Sequence, residues 1–257
     1  MVSLTVLRAI KLTPSLVARF ALLPVRKVRN PCLYCPGICL ASCPTFLESG
    51  SMLLSPLGYS RNPVLGLEKC AKCWRCVQEC PLEFPLPETY TRSSTRVYMK
   101  TVKEGSPLLV AVEGLDVEYA EQLAEKLKAG VAVVSGLEAR YIGGQRLEPK
   151  SAKKVSNFLA GRDAYALSPE ASHALGIEFL PEVLPRLGFK VKYEGPVHIP
   201  CLLRRREQSI LDSLASAGAR ITSVDRDSCL KVKPRGGVLY LCPRARFLGV
   251  KNLYDIL

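Results

Sequence analysis

At 257 residues, 48% hydrophobic and a net charge of +13, the chain is long enough to bury a real core in one or two domains. It carries no uninterrupted apolar run long enough to span a bilayer. Its eleven cysteines would suit a disulfide scaffold in a short secreted chain, but eight of them fall in two tight runs, which in a reducing compartment read as metal sites.

Residues 1–30 mix apolar and basic side chains and are cut by Pro14 and Pro24. Arg8, Lys11 and Arg19 interrupt the apolar stretches, so no secretory signal is expected. Two readings stand for this extension: short amphipathic helices lying on a membrane or in a partner's groove, or a segment packed on its own domain. The expected location is cytoplasmic, with the extension as the candidate for peripheral contact with the cytoplasmic membrane face. No acidic residue occurs before Glu48, and the positive balance favours anionic partners or is simply a basic, solvated surface.

Residues 31–100 hold both cysteine runs, many prolines and little strand patterning, which predicts short helices and loops folded around metal. The downstream run, CAKCWRCVQECP from Cys70 to Pro81, has the spacing C-x2-C-x2-C-x3-C-P. Three thiolates so spaced wrap one iron–sulfur cube, and the fourth, turned away at a proline, reaches a second cube. Crossed fourth ligands call for a pair of runs, and CLYCPGICLASCP from Cys32 to Pro44 supplies the other with one extra residue between its second and third cysteines. The assignment is Cys32, Cys35, Cys39 and Cys80 on one [4Fe–4S] cluster, and Cys70, Cys73, Cys76 and Cys43 on the other. Structural zinc, which usually takes two separated C-x2-C pairs, and a [3Fe–4S] variant are the alternatives. Lys69, Lys72 and Arg75 crowd the downstream run, so the cluster of Cys70, Cys73 and Cys76 is expected to have the higher potential. Trp74 either shields that cluster from water or simply packs.

From Pro107 the pattern turns to α/β. PLLVAVEG is a buried-strand run, DVEYAEQLAEKLKAG an amphipathic helix with Gly130 as its expected C-cap, and VAVVSG a second strand. Later, GPVHIPCLL, RITSVD and GGVLYL read as strands around a helix in RRREQSILDSLASAGA. AYALSPEA at 164–171 aligns with VLYLCPRA at 238–245, implying two related α/β modules. YIGGQR and PRGG are glycine pairs in turns without a nucleotide-binding context, and His173 reads as structural.

The stretch CPTFLESGSMLLSPLGYSRNPVLGLEKCAKCWRCVQECP resembles the iron–sulfur subunits of glycolate oxidase, anaerobic glycerol-3-phosphate dehydrogenase and heterodisulfide reductase. SPLGYSR is similar to that family's Ser-Pro-x-Gly-Arg connector. The resemblance covers roughly 31–90 and implies a helical ferredoxin domain with two [4Fe–4S] clusters, followed by two cysteine-rich modules. Over 107–257 it is fainter. HIPC keeps Cys201, DSCL offers only Cys229 of a Cys-Cys pair, and CPRA keeps Cys242 but has Ala245 at a ligand position. Ser168 and Ala171 stand at both ligand positions of the first module, which should therefore hold no cluster. Cys201, Cys229 and Cys242 are either a vestige, left in a core or paired as a disulfide, or a three-thiolate site completed by His198, water or substrate.

The expected fold is therefore α+β overall. A basic extension at 1–30 leads to a mainly α-helical ferredoxin domain at 31–100 and an α/β domain of two related parallel-sheet modules at 101–257. The resemblance implies a non-catalytic electron-transfer subunit of an oxidoreductase, passing electrons between a partner redox subunit and an acceptor. The partner would be a flavoprotein or a membrane quinone or cytochrome subunit. The alternative is a catalytic subunit that reduces a disulfide or quinone through Cys201, Cys229 and Cys242. Nucleic-acid binding is not expected, because aromatic content is low at 7% and the basic residues are not interleaved with aromatics.

Overall fold

The runs Leu108–Val112 (β2) and Gly130–Ser135 (β3) are apolar without alternation, and both are buried at every position. Such runs suit central parallel strands, which need cover on both faces. A computed structural model describes residues 31–33, 35–61, 70–87, 96–137, 147–228 and 233–257. The extension 1–30, Lys69, the YIGGQR turn and Cys229 lie outside the described residues.

Residues 1–36 and 37–257 are separate compact units. The first contributes the 3-10 turn Pro31–Leu33, which carries Cys32, and Cys35, whose N–H donates to the Cys32 carbonyl at 3.4 Å.

The unit 37–257 is α+β. Among its described residues one sheet has the order β1 (Tyr98–Lys103), β3, β2, β4 (Ala164–Ala166), β5 (Glu178–Phe179). Only β1 runs antiparallel to its neighbour. A second sheet, all parallel, has the order β7 (Arg220–Asp225), β6 (Glu194–His198), β8 (Leu239–Tyr240). Helix α4 (Val117–Leu127) packs on β2 and β3 and buries Tyr119, Ala120, Leu123 and Ala124. Gly130 is not its C-cap. Lys128 takes the left-handed conformation there, with φ 54°, and Gly130 opens β3, where a Cβ would stand 2.8 Å from the Gly105 carbonyl oxygen. The strand expected over GPVHIPCLL ends at His198, and Cys201–Arg206 is a 3-10 helix leading into α7 (Glu207–Ser216).

The two aligned octapeptides have matching geometry. Ser168 caps α6 (Pro169–Leu175), its Oγ accepting from the Ala171 N–H at 3.2 Å. Cys242 stands at the N-cap of the 3-10 helix Pro243–Leu248, again with proline in the first turn. Glu170 and Arg244, at equivalent positions, face each other at 3.1 Å across the join. Trp74 and Val77 from the cysteine-rich stretch belong to the same buried core as β2 and β3.

Candidate metal centre

Proline sets the local geometry of the cysteine-rich stretch. Cys43 is the N-cap of α1 (Pro44–Ser49), in extended backbone with φ −73° and ψ 111°, and Pro44 begins the helix as its fixed φ favours. In α2 (Pro56–Arg61), Ser55 Oγ accepts from the Gly58 N–H at 3.1 Å and donates to the Met52 carbonyl at 2.5 Å. A Cβ on Gly58 would stand 2.3 Å from the Leu53 carbonyl oxygen, so only glycine fits this close approach. Gly58→Ala is expected to destabilise the protein by roughly 1–3 kcal/mol, the usual cost of overpacking. Chemical denaturation at an unchanged midpoint would show instead that the turn relaxes freely. The connector SPLGYSR thus has a structural rationale, and it delivers buried Tyr59 to the centre.

The loop carrying Cys70, Cys73 and Cys76 is tightly wound. Lys72 and Trp74 are both in left-handed backbone, with φ 49° and 63°, and the Lys72 N–H donates to Cys70 Sγ at 3.3 Å. Such conformations in non-glycine residues persist only where the surroundings hold them, and they gather at functional sites. The short helix α3 (Arg75–Gln78) follows and packs against the 3-10 helix Ile38–Ser42, which carries Cys39. Cys80 lies just beyond α3, its N–H on the Val77 carbonyl at 3.2 Å.

Cys43, Cys70, Cys73 and Cys76 line one small, partly open pocket, together with Pro44, Pro56, Tyr59, Lys72, Trp74, Arg75 and Pro87. Three thiols thus come from the downstream run and the fourth from the upstream run. Among the described residues no group of three or more His, Cys, Asp or Glu is gathered closely enough for a single ion. Burial raises the pKa of the Cys43 thiol, the charge of Cys70 adds to the rise, and Arg75 opposes it. Burial first, then the charges of Cys70 and Cys43, push the Tyr59 phenol far above the usual tyrosine range.

Arg75 is fully buried, and its guanidinium ties three segments together. Nε donates to Cys201 Sγ at 3.1 Å, Nη1 to the Ser42 carbonyl at 3.3 Å and Nη2 to the Ser228 carbonyl at 2.9 Å. Cys201 lies within hydrogen-bonding reach of Cys73 and of His198. Its thiol is held well below the usual range, first by Cys73, then against its burial by His198 and Arg75. The imidazole is fixed from its other side, where Nδ1 is 2.9 Å from the Asp225 carbonyl oxygen and 3.3 Å from Ser228 Oγ. Sequence reasoning treated Arg75 as a nearby charge and did not connect Cys201 to the downstream run. The one available signal was the apolar surround of Arg75, between Trp74 and Val77, which suits a buried position.

Cys242 is buried apart from this cavity, and burial, then the charge of Glu170, push its thiol far up. Cys201 and Cys242 are both free thiols. Cys39 and Cys80 belong to the unit 37–257, and Cys32 and Cys35 to the unit 1–36. The triplet Arg204–Arg206 is spent internally: Arg204 pairs with Glu79 at 3.0 Å, Arg205 with Glu83 and Arg206 with Glu182. His173 sits on α6 with its Nε2 3.5 Å from Gln78 Nε2. Among the described residues no helix is long and apolar enough to cross a membrane.

No protein-family model, no curated protein and no solved structure matches the chain.

Proposed function

We propose that the protein is an electron-transfer iron–sulfur subunit of an oxidoreductase complex, holding two [4Fe–4S] clusters. The observation that carries this reading is the gathering of Cys43 with Cys70, Cys73 and Cys76 around one cavity. Four cysteines brought to one pocket from both runs suit a cube, which takes one thiolate on each iron. A [4Fe–4S] cluster supplies one-electron chemistry, and the protein supplies position, burial and charge. Here Trp74, Tyr59 and three prolines give the pocket largely apolar walls, the Lys72 N–H donates to Cys70 Sγ, and buried Arg75 places positive charge beside the site. Cys32, Cys35, Cys39 and Cys80 are assigned to the second cluster on their spacing alone.

In this reading 31–100 is a helical ferredoxin domain and 101–257 two degenerate modules that serve as its platform. Ile38, Leu47, Met52 and Leu53 are large, apolar and exposed on the segments flanking Cys39 and Cys43. They support docking of a partner redox subunit, a flavoprotein or a membrane quinone or cytochrome subunit, at that face. Residues 1–30 are the candidate for contact with the cytoplasmic membrane face. The ion pairs of Arg204, Arg205 and Arg206 argue against a nucleic-acid surface there.

Protein purified without oxygen is expected to carry about eight irons per chain and a matching amount of acid-labile sulfide. Folded protein that is colourless and iron-free would defeat the proposal. An EPR-monitored redox titration is expected to give two midpoints, the higher belonging to the cluster of Cys43, Cys70, Cys73 and Cys76, because Arg75 and Lys72 favour added negative charge. The reverse order would show that burial outweighs the cations.

A further inference from the structure

Cys80 is the one cysteine of the downstream run that does not line the pocket with Cys43, Cys70, Cys73 and Cys76. It sits on a short arm, residues 78–83, that leaves the end of α3 in a tight turn. The Glu83 N–H donates to the Cys80 carbonyl at 2.9 Å, and Glu83 itself is in left-handed backbone with φ 48°. Backbone of that kind in a non-glycine residue persists only where its surroundings hold it. Two arginines of the 3-10 helix Cys201–Arg206 grip the arm on both sides of Cys80. Arg204 Nη1 donates to Glu79 Oε1 at 3.0 Å, and Arg205 Nη2 donates to the Gln78 carbonyl at 3.1 Å while its Nη1 meets Glu83. The third arginine ties the same helix into the α/β part: Arg206 Nε donates to Glu182 Oε1 at 2.8 Å and its Nη1 to Ser172 Oγ at 2.7 Å.

We propose that Arg204 and Arg205 are positioning residues for Cys80, pinning the arm that carries this ligand of the second cluster onto the α/β part. The inference rests on the cluster reading and on the assignment of Cys80 to the second cluster. It gives the α/β platform a task at the redox centre, since the crossing ligand is then held from a region more than a hundred residues away. The two grips are unequal. The Arg204 side chain is only 16% exposed, so water competes little for its charged bond to Glu79. Arg205 and Glu83 are 53% and 59% exposed, so that ion pair contributes little, and Arg205 acts chiefly through the Gln78 carbonyl at the C-terminal end of α3. Without these bonds the arm opens locally while the rest of the fold stays closed.

The test uses the full chain, purified without oxygen, as wild type, the double variant Arg204→Gln/Arg205→Gln, and Glu79→Gln, which removes the Arg204 pair from the side of the arm. Iron content is measured for each, and the loss of each EPR signal is followed after an iron chelator is added. The signal that Cys80→Ala removes identifies the second cluster. The double variant is expected to carry about eight irons and to lose that signal about tenfold faster than wild type, the scale of one hydrogen bond to a charged group. The signal that Cys73→Ala removes should decay at the wild-type rate. Glu79→Gln should show the same selective loss to a smaller extent, and it carries the test if the double variant does not fold. Exchanging the charges, Arg204→Glu with Glu79→Arg, should restore part of the resistance that either change alone removes. Equal acceleration of both signals would overturn the inference by making the arginines general supports of the fold, and unchanged rates would overturn it outright. Full iron in Cys80→Ala would remove Cys80 from the ligand set and the inference with it, leaving the pocket of Cys43, Cys70, Cys73 and Cys76 untouched. Absence of iron from the wild type defeats the underlying cluster reading.

Discussion

Cys43→Ala should lose one cluster and retain the other, so that iron falls from about eight to about four per chain. The EPR signal that disappears should be the one that Cys73→Ala also removes, because both sulfurs line the same cavity. Cys80→Ala should remove the other signal. This pattern separates crossed ligation from the simpler scheme in which each run holds its own cube. In the simpler scheme Cys43→Ala and Cys39→Ala would erase the same signal, and Cys80→Ala would pair with Cys73→Ala. The structural basis is local. Pro44 starts α1 directly after Cys43 and leaves that residue in extended backbone at the helix N-cap, where it also closes the turn that carries Cys39, its N–H donating to the Leu40 carbonyl at 3.2 Å. A result in which Cys43→Ala keeps all its iron would remove Cys43 from the ligand set.

Arg75→Met should lower stability by roughly 2–5 kcal/mol, the sum expected when buried carbonyls lose a charged donor. For a chain of this size that corresponds to a melting temperature lower by roughly 4–20 °C. The carbonyls of Ser42 and Ser228 lose their bonds at 3.3 and 2.9 Å, and both residues are buried. Methionine fills much of the volume, so the loss reports the bonds more than a cavity. Arg75→Lys should recover only part of it, because an ammonium lacks the planar fork that meets three acceptors in different directions. Thermal unfolding of the iron-loaded proteins, with iron content followed in parallel, checks the prediction. An unchanged melting temperature in Arg75→Met would mean that the three bonds are offset by the cost of burying the charge.

The elements that could be read in advance are those whose signal is local. The apolar runs at Leu108–Val112 and Gly130–Ser135 have no alternation and became buried strands, since a parallel strand covered on both faces has no polar side to show. The face of α4 was legible from its 3.6-residue period. Its ending was misread, because two positions compete there. Lys128 tolerates the left-handed cap, and Gly130 is needed where Gly105 approaches the backbone of β3. The strand drawn through HIPCLL was too long because Pro200 and the turn after it interrupt a run that hydropathy alone leaves continuous.

At the candidate centre, the spacing of eight cysteines and the proline after each run set out the groups of thiols in advance, and the structure brings Cys43, Cys70, Cys73 and Cys76 to one pocket. The chain alone also determined that Ser168 and Ala171 bring no sulfur to the first aligned octapeptide. Tertiary structure alone decided that Arg75 is buried and that it bonds Ser42, Cys201 and Ser228 at once. Those contacts join residues separated by as many as 153 positions along the chain. No periodicity or local propensity encodes a meeting of that kind; it follows from the packing of α3 against the 3-10 helix that begins at Cys201.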